Sequence, residues 1–252
     1  MKVTIITPSY NQVDYISDTI KSVVSQPVEL EYLIMDGASV DGSVDTIKSF
    51  AKLYPKQIHF ISKKDAGQVD AINQGLRQAT GDVIAYLNSD DYYLPQALKK
   101  VIEYFSSHPD KQWVYGQCLV SDPRFNWTFF LKRIWPVYLH PIFLKGFNTL
   151  NQPAVFIRKE LVDKVGLFDP QLRYAFDYDY WLRCLKVAGT PGFLNSPLAV
   201  FRIHKSAKGS LHFDKQFDED FTVLKHHFPA TPARLLHLLG KYLTVFSYRL
   251  IK

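Results

Sequence analysis

Cysteine is scarce. Only Cys118 and Cys184 occur in 252 residues, with no CxxC spacing and no histidine placed beside them as a metal partner. That argues against a disulfide framework and a zinc module, and it fits a reducing, cytoplasmic setting. There is no run of about 18 apolar residues, so no bilayer-spanning helix is expected. The apolar stretch in MKVTIITPSY is too short for a signal peptide. Glycine-rich fingerprints are missing as well. No GxGxxG follows the first apolar run, and neither GxxxxGKS/T nor GxSxG occurs. Dinucleotide binding, P-loop chemistry and a serine-hydrolase elbow thereby lose their main support.

The composition is that of a globular chain, with 47% apolar and 21% charged residues. Aromatics at 15% suit sugar or membrane contact as well as plain core packing. The net charge of +6 is unevenly spread: nine Lys/Arg against four Asp/Glu lie between Arg202 and Lys252. A basic nucleic-acid face across the fold is therefore not expected. A local anionic partner near the C-terminal end is.

Patterning in the first half alternates between periods. Apolar runs at 2–7, 31–35, 58–62 and 82–87 read as strands. Between them, Val13, Ile16, Ile20 and Val23, then Val44, Ile47, Phe50 and Leu53, then Val69, Ile72, Leu76 and Ala79, recur every three or four residues. That spacing buries one helix face. Strand–helix alternation with short connections predicts an α/β fold, a mostly parallel sheet with helices on both faces. Ligands of such sheets bind beyond the C-terminal strand ends. Those ends carry TPSYNQ, then DGAS around Asp36, then KKDAGQ around Asp65, then NSDD at 88–91. Three of the four bring carboxylates to one sheet edge, a polar cleft with capacity for a cation.

The second half predicts a helix from Pro95 to Ser107, a strand at 113–120, a strand–helix pair over 154–166 and a helix from Asp177 to Val187. Asp177 and Asp179 cannot both face a cleft from that helix, being about 200° apart around its axis. The stretch LNSDD resembles a D-x-D motif at a strand end. Its oxygen donors suit Mg²⁺ or Mn²⁺, which usually take one or two protein carboxylates plus substrate phosphates.

TPSYNQ, MDGASVDGS, DAGQVDAINQGLRQATGDVIAYLNSDD and FDYDYWLR, in that order, resemble a family 2 glycosyltransferase of the GT-A fold. The likeness covers roughly residues 1–205, is most specific from Asp65 to Asp91, and extends to bacterial enzymes of O-antigen and other polysaccharide assembly. It implies a nucleotide-sugar donor, UDP-linked, and a divalent metal. The Thr7-Pro8 turn and Asp36 would hold uracil and ribose, Asp65 would help recognise the base, and Asn88 and Ser89 would contact the nucleotide sugar. Asp90 would coordinate the metal, with Asp91 and His204 as further ligands. Arg202 is a phosphate candidate, and the segment from Phe201 to His204 resembles the family's closing loop. Asp177 aligns with the catalytic base. Asn88 departs from the D-x-D pattern, since an amide brings no charge and is a weaker metal ligand. No QxxRW pattern follows Asp177, which favours transfer of one sugar over processive synthesis.

A single GT-A domain over 1–205 is expected, its nucleotide-sugar half at 1–100 and its acceptor half at 101–205, followed by a helical extension over 206–252. In that extension Arg234, His237, Lys241 and Thr244 form a polar stripe on an otherwise apolar helix. Such a helix can lie on an anionic membrane, on the inner face of the cytoplasmic membrane, beside a glycan or polyprenyl-diphosphate-linked acceptor. It can equally pack on the domain or on a second copy in a homodimer. The aromatic and basic segment 129–147 reads either as an acceptor wall or as core. Two rival readings are a non-catalytic GT-A-like carbohydrate-binding scaffold and a sugar-phosphate nucleotidylyltransferase. The second would need a Gly/Arg-rich loop where TPSYNQ stands.

Overall fold

A computed structural model of the chain describes residues 1–121, 128–130, 144, 148–204 and 213–228. The amphipathic segment 232–252 and most of 129–147 lie outside the described residues. The strands are β1 (Val3–Ser9), β2 (Leu30–Asp36), β3 (Ile58–Ser62), β4 (Val83–Tyr86), β5 (Tyr92–Tyr93), β6 (Trp113–Ser121), β7 (Thr128–Phe130), β8 (Val155–Arg158) and β9 (Gly192–Arg202). They form one sheet in the order β3-β2-β1-β4-β8-β6-β9-β5, with β7 paired to β6. The first four strands along the chain, β1 to β4, are mutually parallel. β8 enters antiparallel between β4 and β6, and β5 closes the far edge antiparallel to β9. The fold is α/β, as the alternating periodicity predicts.

Strand residues alternate between two cores. Ile6 and Leu33 join one cluster with Ile72 and Trp181, while Ile5, Tyr32 and Ile34 join the other with Ile16, Ile20 and Val101. The period of two sends neighbours to opposite faces, so both faces need helices. Helices α1 (Val13–Val24), α2 (Ser43–Leu53) and α4 (Ala97–Ser107) supply the second cluster. The first receives α3 (Gln68–Gln78), α5 (Lys159–Val165), α6 (Phe176–Ala188) and α7 (Phe213–His227). α3 lies so close to β1 that a Cβ on Gly75 would sit 2.5 Å from Ile6 Cγ2. Only glycine allows that approach without repacking.

Three local expectations shift. The Thr7-Pro8 turn is strand, because β1 stays paired with β2 as far as Ser9 and Asp36. Ile6 offers its carbonyl to Leu87 of the β4 side, and Ser9 offers its own to Gly37 of the β2 side. By the same alternation Pro8 faces the β4 side, where pairing has ended and its missing N–H costs nothing. Pro95 precedes α4 instead of opening it, since Gln96 adopts a left-handed φ of 62° before the helix begins. Phe201 and Arg202 are the end of β9, paired with Val120 and Ser121, which leaves Ile203 and His204 beyond the strand. The helical extension expected after residue 205 contributes α7, whose Val223 and Leu224 are buried in the same core as Trp181.

Candidate active site

The C-terminal ends of β1 to β4 open on a cleft of about 600 Å³, lined by Pro8, Ser9, Tyr10, Gly37, Ala38, Lys64, Asp65, Gln68, Asn88, Ser89, Asp90 and Phe201 among others. Its walls are short loops tied to one another. Asp36, itself buried, accepts hydrogen bonds from Ser39 N (2.9 Å), Ser39 Oγ (2.5 Å) and Ser62 Oγ (2.7 Å), which locks the loop after β2 to the end of β3. Asn11 N donates to Ser39 Oγ at 2.8 Å, and Val40 N donates back to Asn11 Oδ1 at 3.0 Å. Asn11 and Ala38 hold left-handed φ angles of 51° and 64°. Such angles are strained in a residue with a side chain and persist where surrounding bonds over-determine them. The cradle is therefore shaped before any ligand arrives.

Asp65 accepts Gly67 N at 2.8 Å and stands against Gly37, where a Cβ would lie 3.1 Å from its Oδ2 and 3.2 Å from Tyr10 Cδ2. Burial raises its carboxyl above the ordinary value, the Gly67 N–H draws it part of the way back, and Asp70 and Asp36 push it up again. A side chain at 37 would thus crowd both the Asp65 carboxylate and the exposed Tyr10 ring that line the cleft. Thr7 lies beneath the surface, fully buried, its Oγ1 accepting from Tyr32 OH at 3.1 Å.

After β4 the polar run divides by direction. Asp90 faces the cleft, and its Oδ2 meets His204 Nε2 at 2.9 Å. The His204 ring lies against Tyr15 at 4.4 Å between centroids. Asp91 points the other way and is fully buried, accepting Arg202 N at 3.0 Å and Asn88 Nδ2 at 3.4 Å. Burial, reinforced by neighbouring Asp90, raises its carboxyl well above the usual carboxylate range. Thr19 Oγ1 bonds the carbonyls of Ser89 (2.8 Å) and Asp91 (2.6 Å), pinning the run to α1. The Arg202 guanidinium is turned outward onto Asp18 at 2.9 Å and lies 4.6 Å over the Tyr92 ring. The structure thus brings Asp65, Asn88, Ser89 and Asp90 to the cleft with Pro8. It sets Thr7, Asp36 and Asp91 behind the wall and Arg202 on its outer side. Among the described residues no three His, Cys, Asp or Glu side chains converge as a metal cage. The Asp90–His204 pair supplies one oxygen and one nitrogen donor, a set suited to a cation that takes its remaining ligands from phosphate.

Asn88 is held by amides, and their orientation follows from one atom. The Tyr86 carbonyl can only accept, so Gln152 presents Nε2 to it at 2.6 Å. Gln152 Oε1 then faces Asn88 Nδ2 at 3.3 Å, which leaves Asn88 Oδ1 to accept Gln68 Nε2 at 2.7 Å. A carboxylate at 88 would oppose both Gln152 Oε1 and Asp91. The amide is what this pocket requires.

Gln68, Asn88 and Phe201 also line a second cavity of about 260 Å³, together with Asn148, Gln152, Arg173, Tyr174, Phe176, Asp177 and Gln216. Asp177 stands in the first turn of α6, its Oδ1 accepting Tyr178 N at 2.7 Å and its Oδ2 accepting Asn148 Nδ2 at 3.3 Å. Asp179 turns away, as the helical spacing requires. It is buried, paired with Arg183 at 2.8 Å and His227 at 2.7 Å. Burial favours its neutral form, but the His227 hydrogen bond and Arg183 outweigh that and hold the carboxyl below its ordinary value. Sequence reasoning missed Tyr10, Lys64, Gln68 and Gln152. Gln68 lay inside the DAGQVDAINQ run, whereas nothing in the spacing of Gln152 marks it.

A sheet of this topology, with its carboxylate-bearing cleft at the parallel strand ends and a second cavity sharing one wall, has the GT-A fold. The chain belongs to glycosyl transferase family 2, whose family model matches residues 4–164. It is 36% identical over 220 residues to an uncharacterized glycosyltransferase of Nostoc sp., covering 81% of this chain and 65% of that protein. It is 30% identical over 204 residues to TuaG of Bacillus subtilis, named for teichuronic acid biosynthesis, covering 80% and 79%. The chain spans 64–65% of the length of the Rickettsia and Nostoc relatives it matches. S. aureus TarS in complex with UDP-GlcNAc has a similar structure, with a TM-score of 0.71 at 17% identity, over 90% of this chain and 66% of that one. So does the Pyrobaculum calidifontis mannosyltransferase PcManGT in complex with GDP-Man and Mn²⁺, with a TM-score of 0.65 at 17% identity, over 96% and 80%.

Proposed function

We propose that this domain is an inverting, metal-dependent, non-processive glycosyltransferase. It moves one sugar from a UDP-sugar to a hydroxyl of a glycan or polyprenyl-diphosphate-linked acceptor in polysaccharide assembly. The observation that carries this reading is the shared wall: Gln68, Asn88 and Phe201 line both the cleft that bears Asp90, itself backed by buried His204 at 2.9 Å, and the cavity that bears Asp177. Support for a nucleotide-sugar donor comes from neighbours of the same fold that hold UDP-GlcNAc or GDP-Man. Support for polysaccharide assembly comes from the names of family relatives.

Each residue then has a task. Tyr10, Asp65 and the cross-linked loops after β1 and β2 seat the nucleoside. Asp90 and His204 would hold a divalent cation, which takes its further ligands from phosphate. When bound, the cation stabilises charge on the departing nucleoside diphosphate. Asp177, across the shared wall, takes the proton of the attacking acceptor hydroxyl, and attack from the side opposite the leaving group inverts the anomeric carbon. Peripheral attachment to a membrane is carried in this reading by segment 232–252. Among the described residues no helix is long and apolar enough to cross a membrane.

The test is nucleotide release from a panel of UDP-, GDP- and dTDP-sugars with Mn²⁺. UDP release that EDTA and Asp90→Ala both abolish is the expected result. Release indifferent to EDTA sinks metal dependence, and no release from any donor favours a carbohydrate-binding scaffold.

A further inference from the structure

Helix α6 begins at Phe176 without a side-chain cap of its own, since its preceding residue is Ala175. The donors that lead into it are satisfied from elsewhere in the chain. The carboxylate of Glu219, on α7, accepts the N–H groups of three consecutive residues: Arg173 at 3.0 and 3.1 Å, Tyr174, and Ala175 at 2.6 Å. Two residues beyond Ala175 stands Asp177. Two residues further on, on the opposite side of the helix, Asp179 ties α6 back to α7 through His227 at 2.7 Å. α7 therefore grips α6 on both sides of Asp177, once by a carboxylate on backbone N–H groups and once by a side-chain hydrogen bond.

We propose that Glu219 is a positioning residue for Asp177: a cap contributed by α7 that sets the place of the candidate base, and of Arg173 and Tyr174 beside it, in the second cavity. The proposal rests on the reading of Asp177 as the base. Three N–H groups converging on one carboxylate define the path of the turn more tightly than a helix N-terminus left to water, and charge-assisted bonds are the stronger kind. A negative charge at the N-terminal end of α6 is also favoured by the helix dipole. The residues Glu219 touches lie 44 to 46 positions away in sequence, so the clamp forms only when α7 is docked. Catalytic groups tolerate little displacement, and a shift of about 1 Å can cost about a hundredfold in rate.

The experiment uses the full chain with Glu219→Ala and Glu219→Gln. Hydrogen exchange over peptide 173–178 and UDP release from the best donor of the panel are followed together. Glu219→Ala is expected to speed exchange at 173–175 and to lower kcat at least about tenfold, with KM for the donor unchanged. Glu219→Gln keeps one accepting oxygen and should recover part of kcat. A kcat within about twofold of wild type in Glu219→Ala overturns the proposal. So does a fall in kcat that comes with an equal rise in donor KM, since that marks general loosening. If Glu219→Ala does not fold, Glu219→Gln decides by the same split. Asp177→Asn in the same assay separates the two claims. If it is as active as wild type, the base reading falls and this proposal with it. If it is inactive while Glu219→Ala is unimpaired, only the positioning proposal falls. A wild-type chain that releases no nucleotide from any donor counts against the proposed function, and the exchange measurement then decides the clamp by itself.

Discussion

The two cavities are built by opposite strategies. The larger one draws on consecutive strand ends, 8–10, 37–38, 64–68 and 88–90, and each loop is fastened to the next by short hydrogen bonds from side chains. The smaller one gathers residues from distant parts of the chain, among them 86, 148–153, 173–177 and 216, and is held by helix docking. A site fastened locally keeps its shape through its own loops. A site assembled from remote pieces depends on every element that places them. Substitutions at the larger cavity should therefore act where they are made, while substitutions at the smaller one should propagate through α6 and α7.

The largest effect should come from Asp177→Asn. If the second cavity holds the base, kcat should fall by about 10² to 10⁴ while the affinity for the UDP-sugar stays at its wild-type value. Calorimetric titration of the donor beside steady-state UDP release checks both halves. A matching loss of donor affinity would erase the division between the cavities.

Asn88→Asp probes the wall that the cavities share, and a smaller but broader loss is expected. The new carboxylate would meet Asp91, 3.4 Å from the present Nδ2, and Gln152 Oε1, 3.3 Å from it, in place of a donor. Leaving such acceptors unsatisfied costs about 2–3 kcal/mol. The introduced carboxyl should titrate above its unfolded value, so the deficit is full at neutral pH and shrinks as the pH falls and the group is protonated. Urea denaturation at pH 7 and pH 5 measures it. A variant as stable as wild type at pH 7 would show that the amide chain from Tyr86 to Gln68 does not constrain this position.

These contrasts also explain what the sequence disclosed. Ile16, Ile20 and Val23 announce α1 because a helix buries residues at that spacing, and the run from Asp65 to Asp91 announces the cleft because its residues are neighbours in the chain as well as in space. Asp177 and Asp179 could be separated by helical geometry, and they do face opposite ways. Gln152 could not be foreseen, since its role is set by a carbonyl 66 residues earlier. Asp91 was expected as a further metal ligand beside Asp90, but the backbone turns Asp90 into the cleft and Asp91 into the core. Arg202 looked like a phosphate ligand because composition reports charge and is silent on direction. Asp18 and Tyr92 hold it on the outer side.

The smallest effect on either cavity should come from the opposite end of the sheet. Glu31 is the second residue of β2, at the end of the strand opposite the cleft. It accepts Thr4 Oγ1 (2.6 Å), Thr80 N (2.8 Å), Thr80 Oγ1 (2.6 Å) and Lys2 Nζ (3.1 Å). Burial alone would raise its carboxyl, but these four donors reverse the sign and bring it down from 4.5 to about 2. A folded value below the unfolded one means that the ionised form stabilises the fold. That contribution is complete above pH 4.5 and disappears as the pH falls towards 2. Solvent screens part of it, which leaves a worth on the order of 2 kcal/mol. Glu31→Gln should therefore lose stability at pH 7, converge with wild type near pH 2 and leave donor affinity unchanged. Denaturation curves at pH 7, 4 and 3 check the slope. A deficit of the same size at pH 3 as at pH 7 would mean that lost packing, and not the ionised carboxylate, accounts for it. A change in donor affinity would instead mean that the two ends of β2 are coupled, and the donor cleft would no longer be the locally fastened half of the molecule.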